Sequence, residues 1–261
     1  MATIHLHYYA NTVGRSASAE VIIPQDLPVG EERRNCPVLY LLHGACEDEN
    51  AFINKTSIER YACRHNLTVV MPSAENSDYT NMKHGQNYYS LIANEMPELM
   101  FKFFGMYPYR ENCHIAGISM GANGAMKVGF ANPDKYGTIG CLSGAVTYKA
   151  PPNDTYHLDP VLDRDDYMKY DSREIIDTVD DTLGNILKVS AGNKPAPKVY
   201  HTIGSEDFII NYARDTKKIF ESLNKDVISY TYEEYPGKHD WDFWDKALER
   251  YIDFIFQNKK Q

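Results

Sequence analysis

The chain has 261 residues, 43 % of them hydrophobic and 24 % charged, with a formal net charge of −9; this composition suits a folded domain with a substantial core rather than a disordered or fibrous chain. The acidic balance, with no cluster of Lys or Arg, argues against a nucleic-acid partner, and no apolar run reaches the roughly 18 to 20 residues that span a bilayer. Five Cys without a C-x-x-C pair predict neither a disulfide framework nor a zinc site, and MATIHLHYYANTVG lacks a basic stretch followed by an apolar one, so no secretory leader and a cytoplasmic location are expected.

In chain order, Ile4 to Ala10 and Ala17 to Pro24 flank a turn-like Asn11-Thr12-Val13-Gly14-Arg15 and predict an antiparallel pair. Val38 to Leu42 is a continuous apolar run ending at His43-Gly44, as a central strand covered on both faces requires. Asn50 to Asn66 reads as a helix and Leu67 to Met71 as a strand closed by Pro72. Tyr88 to Phe104 reads as a helix kinked or restarted near Met96, because Pro97 falls inside it. Asn112 to Ile118 is a strand, Ser119 to Ala131 a helix ended by Asn132-Pro133, and Thr138 to Ser143 a strand. Residues 145–197 break the rhythm, with Pro151-Pro152 and, between Lys149 and Lys194, ten Asp/Glu against six Lys/Arg. They are expected to form a cap-like insertion on a single domain spanning 1–261. The pattern resumes with a strand at Lys198 to Ile203, a helix at Tyr212 to Leu223, a strand at Val227 to Tyr232 and a helix at Trp241 to Phe256. Strands alternating with helices predict an α/β fold with a mostly parallel sheet and helices on both faces.

Gly117-Ile118-Ser119-Met120-Gly121 stands where the Asn112 strand passes into a helix. A G-x-S-x-G match alone arises by accident in about one chain in ten of this length. Its context is that of a nucleophile elbow, in which a strained Ser projects its hydroxyl above the sheet and leaves no room for side chains two residues to either side. Gly117 and Gly121 hold those places. Gly124, with Ala122 and Ala125, is expected to let the helix approach the sheet closely.

A Ser hydroxyl is a weak nucleophile near neutral pH and needs a base oriented by an acid. In this fold they follow in the order Ser, acid, His, each just beyond a strand. Gly204-Ser205-Glu206-Asp207 and Gly237-Lys238-His239 fill both places. Asp207 is preferred to Glu206, and Asp240 cannot easily reach the ring of its own neighbour; His201, inside a strand, is a weaker base candidate than His239. The oxyanion of a tetrahedral intermediate needs two backbone donors, assigned to Met120, after the nucleophile, and Ala45, after His43-Gly44. His43 reads as a structural hydrogen-bonding residue, and His5 and His7 as a solvated pair rather than metal ligands.

With these residues assembled, the chain resembles the esterase D or "putative esterase" family of α/β-hydrolases, most closely its small tributyrin-esterase-like bacterial members. The resemblance spans nearly the whole chain: Leu41-Leu42-His43-Gly44, Val69-Val70-Met71-Pro72, Gly85-Gln86-Asn87-Tyr88-Tyr89, Ala116 to Gly121, Gly204 to Asp207 and Gly237-Lys238-His239-Asp240-Trp241. Ala122 departs from the second Gly of many members. The resemblance implies an α/β-hydrolase fold, a triad of Ser119, Asp207 and His239, backbone donors from Ala45 and Met120, and no metal or organic cofactor. It implies hydrolysis of short acyl esters, including acetyl or feruloyl esters of carbohydrates. The partner is then a small-molecule or carbohydrate ester, with a homo-oligomer compatible, and no nucleic acid or membrane. A thioesterase of the S-formylglutathione hydrolase kind or an acyltransferase would use the same triad, whereas a binding module on this fold would be expected to lack one of its members. Among 20 Tyr, Tyr79, Tyr88 and Tyr89 could line a pocket that stacks a sugar or an aromatic acyl group, with Trp241 as a further lining residue.

Overall fold

The five residues Val38 to Leu42 offer no polar face. In the computed structural model, which describes residues 1–28, 30–82, 85–107, 109–146, 179–192 and 195–257, they form β3 (Val38–Leu42), buried at every position. The other strands are β1 (Ala2–Ala10), β2 (Arg15–Ile23), β4 (Thr68–Pro72), β5 (Cys113–Ile118), β6 (Thr138–Leu142), β7 (Lys198–Gly204) and β8 (Tyr230–Tyr235). They make one sheet in the order β1-β2-β4-β3-β5-β6-β7-β8. β2 runs antiparallel to both its neighbours and the remaining pairings are parallel, the mostly parallel sheet that the alternation predicts.

Among the described residues the α-helices are α1 (Ala51–Lys55), α2 (Ile58–Arg64), α3 (Tyr88–Ser90), α4 (Met96–Phe104), α5 (Met120–Ala131), α6 (Thr182–Ser190), α7 (Ile210–Ser222) and α8 (Trp241–Gln257). Two apolar layers sandwich the sheet. One gathers Ile115 and Ile139 with Met126 and Phe130 of α5, Ile186 and Val189 of α6 and Phe220 of α7. The other gathers Leu41 and Ile118 with Phe52 of α1, Tyr61 of α2 and Trp244, Leu248 and Ile252 of α8. From β3 the chain turns to β4 on one side and from β5 to β6 on the other, so the loops after β3 and β5 diverge at the carboxyl ends of the strands, the switch point at which open α/β sheets bind ligands.

Two elements depart from the sequence reading, while the restart expected near Met96 is present. The helix expected over Asn50 to Asn66 is two, because Thr56 turns extended, with φ −135° and ψ 172°, its hydroxyl bonding back to Phe52 O while Ser57 N–H donates to Asp245 on α8. Between α3 and α4 the chain makes a π turn over Leu91–Glu95, and Pro97 sits in the first turn of α4, where its missing N–H costs nothing. That turn presents Glu95 to the β1–β2 turn, and its carboxylate accepts from the backbone N–H groups of Asn11 and Thr12, Asn11 Nδ2 and Thr12 Oγ1. β8 begins at Tyr230, three residues later than expected, since Asn224 Oδ1 accepts from Asp226 N–H and Asn224 O from Val227 and Ile228 N–H, holding that stretch in a turn.

The described residues on either side of 147–178 are held to the domain. Ala145 N–H donates to Asn123 Oδ1 and Val146 N–H to Thr216 Oγ1, and α6, capped by Asp181 through Gly184 N–H, buries Ile186 and Val189 beside α5. Residues 147–178, on which most of the expected cap falls, lie outside the described residues.

Candidate active site

β5 ends at Ile118 and α5 begins at Met120, so Ser119 alone makes the turn from strand to helix. Its φ of 52° and ψ of −118° fall in a region that costs a residue with a Cβ about 1 to 3 kcal/mol. The two glycines of the motif are sterically required: a Cβ on Gly117 would stand 2.3 Å from the Gly121 backbone, and one on Gly121 would stand 2.1 Å from Leu42 O. Gly124 has another reason than the one expected. A Cβ there would meet the Tyr79 ring at 2.4 Å, whereas Gly129 is the helix glycine against the sheet, where a Cβ would meet Ile139 at 2.4 Å.

Strain gathers around this turn. Of the seven non-glycine residues with positive φ among those described, Cys46, Glu75, Asp78, Tyr79, Ser119 and Ser143 lie in the loops that follow β3, β4, β5 and β6. Such conformations persist where the surroundings over-determine them, and they mark functional sites.

β5, β7 and β8 bring three expected residues together. His239 Nε2 lies 2.9 Å from Ser119 Oγ, and His239 Nδ1 lies 2.8 Å from Asp207 Oδ2. Asp207 Oδ1 accepts Ile209 N–H at 3.0 Å, and its side chain is wholly buried beside a His239 side chain that is 13 % exposed. Since a carboxylate only accepts, His239 carries its proton on Nδ1 and turns a lone pair on Nε2 toward Ser119. Packing fixes the ring: Phe208 lies 4.5 Å from it and Trp244 stands edge-on at 5.0 Å.

The rivals are exposed or engaged elsewhere. Glu206 is exposed, and Asp240 Oδ1 accepts Phe243 N–H at the start of α8. His201 is fully buried in β7, donating from Nε2 to Gly144 O and accepting at Nδ1 from Tyr230 OH, and burial holds its pKa down at about 4. His5 is paired with Glu20.

The loop after β3 faces the same turn, with Gly44 so placed that a Cβ there would lie 3.5 Å from Ser119 Cβ. Met120 N–H and Ala45 N–H have no hydrogen-bond acceptor among the described residues, which leaves two backbone donors beside Ser119, one at the start of α5 and one in the loop after β3. Trp241, two residues beyond His239, donates from Nε1 to Glu47 Oε1 at 3.2 Å and stacks edge-on against Phe52 and Trp244. It therefore ties the His239 turn to the loop that carries Ala45.

The three tyrosines that could line a pocket are buried in the core. Tyr88 is 2 % exposed with its hydroxyl accepting from Arg15, and Tyr89 is 6 % exposed with its hydroxyl accepting from Asn132. Asn132 is 13 residues beyond Ser119 along α5, about 20 Å at 1.5 Å per residue. Tyr79 is fully buried on Gly124. Sequence reasoning missed Phe208 and Trp244 as packing around His239. Phe208 carries no signal beyond its place after Asp207, whereas Trp244 lies one helical turn from Trp241 and was legible on that spacing. Among the described residues no group of three or more His, Cys, Asp or Glu could hold a metal, and no helix is long and apolar enough to cross a membrane.

A family model described as "Putative esterase" matches residues 10–254. An acetyl esterase of Caldicellulosiruptor saccharolyticus is 28 % identical over 257 residues, covering 95 % of this chain and 96 % of that one. Among solved structures, the fluorophosphonate-binding serine hydrolase FphF of Staphylococcus aureus superposes with a TM-score of 0.85 at 30 % identity, over 97 % of this chain and 98 % of that chain. The S-formylglutathione hydrolase FrmB of the same organism does so with a TM-score of 0.80 at 30 % identity and the same coverage. These likenesses cover nearly the whole chain, and the fold is that of the α/β-hydrolases.

Proposed function

The chain belongs to the "putative esterase" family and is a serine carboxylic ester hydrolase, and on that premise we propose that Ser119, His239 and Asp207 are its catalytic triad and short-chain acyl esters its substrates. The observation that carries the assignment is the unbroken contact from Asp207 Oδ2 through both nitrogens of His239 to Ser119 Oγ, at 2.8 and 2.9 Å. His239 Nε2 takes the Ser119 proton as Oγ attacks the ester carbonyl. Asp207 stays ionised and stabilises the imidazolium that forms. The oxyanion is bound by Ala45 and Met120 N–H, and Met120 opens a 12-residue helix whose positive end adds to the field there. His239 returns its proton to the leaving alcohol, and water, activated by the same base, releases the acid from Ser119.

Acetyl esters, alone or on carbohydrates, are the preferred reading, supported by the likeness along the whole chain to a protein named an acetyl esterase. The likeness to an S-formylglutathione hydrolase supports thioesters as the second reading. The five free thiols among the described residues support a reducing, cytoplasmic setting. Trp241 and the exposed face of Phe208 beside His239 are the proposed pocket surfaces. The test is a hydrolysis screen over acyl lengths from acetyl to octanoyl, extended to acetylated xylan, methyl ferulate and S-formylglutathione. Highest kcat/KM on the acetyl esters is expected; preference for the thioester would replace the first reading with the second, and preference for octanoyl would contradict both.

A further inference from the structure

We propose that Tyr79 is a positioning residue for the Ala45 oxyanion donor, acting through the His43 carbonyl; this rests on the reading of Ser119 as nucleophile and Ala45 N–H as a donor. Tyr79 follows β4, is fully buried and holds a φ of 52°, a backbone that a bulky residue keeps only where its neighbours enforce it. Tyr79 N–H donates to Ser77 Oγ at 3.2 Å. Its ring rests on Gly124, where a Cβ would come within 2.4 to 2.9 Å of three ring-side atoms. The preceding carbonyl, Asp78 O, accepts from Lys127 Nζ at 2.9 Å. Lys127, its side chain 8 % exposed, also lies 3.3 Å from Asp180 Oδ1, which Thr80 Oγ1 meets at 2.5 Å. Gly124 and Lys127 both belong to α5, the helix that Ser119 opens. The loop carrying Tyr79 is thus registered against the nucleophile's own helix.

From that position the Tyr79 hydroxyl donates to His43 O at 2.9 Å. The same carbonyl is hemmed in from α5, since a Cβ on Gly121 would stand 2.6 Å from it. The next peptide is held by the His43 ring. Its Nε2 accepts Ala74 N–H at 3.0 Å, so the ring proton is on Nδ1, which donates to Gly44 O at 2.8 Å. A trans peptide is planar, with C=O and N–H pointing in opposite directions. Fixing Gly44 O therefore aims Ala45 N–H. Burial lowers the pKa of His43 and keeps the ring in the neutral form that this pair of bonds needs. Tyr79 holds the first peptide of the loop, His43 the second, and the donor emerges at the end of the chain.

Replacing Tyr79 by Phe keeps the ring on Gly124 and removes only the hydroxyl. On p-nitrophenyl acetate the expected result is a fall in kcat of about tenfold or more, short of the roughly 10² to 10³ seen when an oxyanion donor is lost outright, with KM within about twofold. Affinity for a trifluoromethyl ketone, which forms an oxyanionic adduct on Ser119, should fall by the same factor as kcat/KM, while inhibition by the product acid stays unchanged. An unchanged kcat, a change confined to KM, or a kcat loss without the matching loss of ketone affinity would overturn the proposal. Ser119→Ala is run beside it: if that variant is active, the triad reading fails; if it is inactive while Tyr79→Phe matches the wild type, only the role of Tyr79 fails.

Discussion

Asp207 Oδ2 stands 2.8 Å from His239 Nδ1, at the bottom of a site where the Asp207 side chain has no exposed surface. The contact fixes which nitrogen faces Ser119, so the tautomer of His239 depends on Asp207 remaining an acceptor. In Asp207→Asn, the side-chain oxygen can still accept Ile209 N–H while the amide donates to Nδ1, which moves the ring proton to Nε2 and removes the base. A loss of roughly three to four orders of magnitude in kcat is expected, with the fold intact by circular dichroism. The neighbouring Glu206→Gln should stay within about twofold of wild type. A larger loss for Glu206→Gln than for Asp207→Asn would reassign the acid.

The glycines of the elbow make a second prediction. In Gly121→Ala the new Cβ would be forced to 2.1 Å from Leu42 O and 2.6 Å from His43 O, both backbone atoms that cannot swing aside. A destabilisation above about 3 kcal/mol is expected, lowering Tm by roughly 10 °C for a chain of this size. Thermal melts measure it; a variant that melts with the wild type would mean that the elbow is looser than its geometry implies.

Much of this site was legible because its chemistry is local in sequence. Gly117, Ser119 and Gly121 carry a steric signature within five residues, and Asp207 and His239 each fall three or four residues beyond a strand end. What escaped was set by contacts distant along the chain. Thr56 breaks a helix because Asp245, nearly two hundred residues on, takes the Ser57 N–H. Tyr88 and Tyr89 belong to the core because Arg15 and Asn132 take their hydroxyls, partners that no local pattern announces. Gly124 was read against the wrong neighbour, since the loop carrying Tyr79 leaves no trace in the spacing of α5.

A third prediction concerns acid. His201 is buried as the neutral ring, with its pKa lowered by burial from 6.5 to about 4. Between those values the unfolded chain binds a proton that the folded chain does not, so stability falls as pH drops through this window and levels off below it. One proton corresponds to about 1.4 kcal/mol per pH unit, or roughly 3 kcal/mol over the window. His201→Gln, which can still donate to Gly144 O and cannot ionise, should show a shallower loss between pH 6.5 and 4.5. Urea midpoints at a series of pH values compare the two; identical slopes would show that His201 is not the group responsible.

Glu95 has the opposite sign. Burial raises its pKa, but the four donors from Asn11 and Thr12 outweigh that and hold it below the usual carboxylate range. Its contribution is therefore present above the unfolded value and is lost as pH falls through the folded one. The stability gap between wild type and Glu95→Gln should be largest near pH 7 and narrow below about pH 4. A gap that stays constant across that range would dissociate the β1–β2 turn from the charge of Glu95.

Ser119 Oγ is the proposed nucleophile, on which the whole mechanism depends. The measurement is kcat/KM for p-nitrophenyl acetate with Ser119→Ala, together with labelling of both proteins by a fluorophosphonate probe. The expected result is a loss of roughly four to six orders of magnitude and no label on the variant, with Tm preserved; a folded Ser119→Ala that keeps most of the wild-type activity, or that still takes the label, would contradict the account.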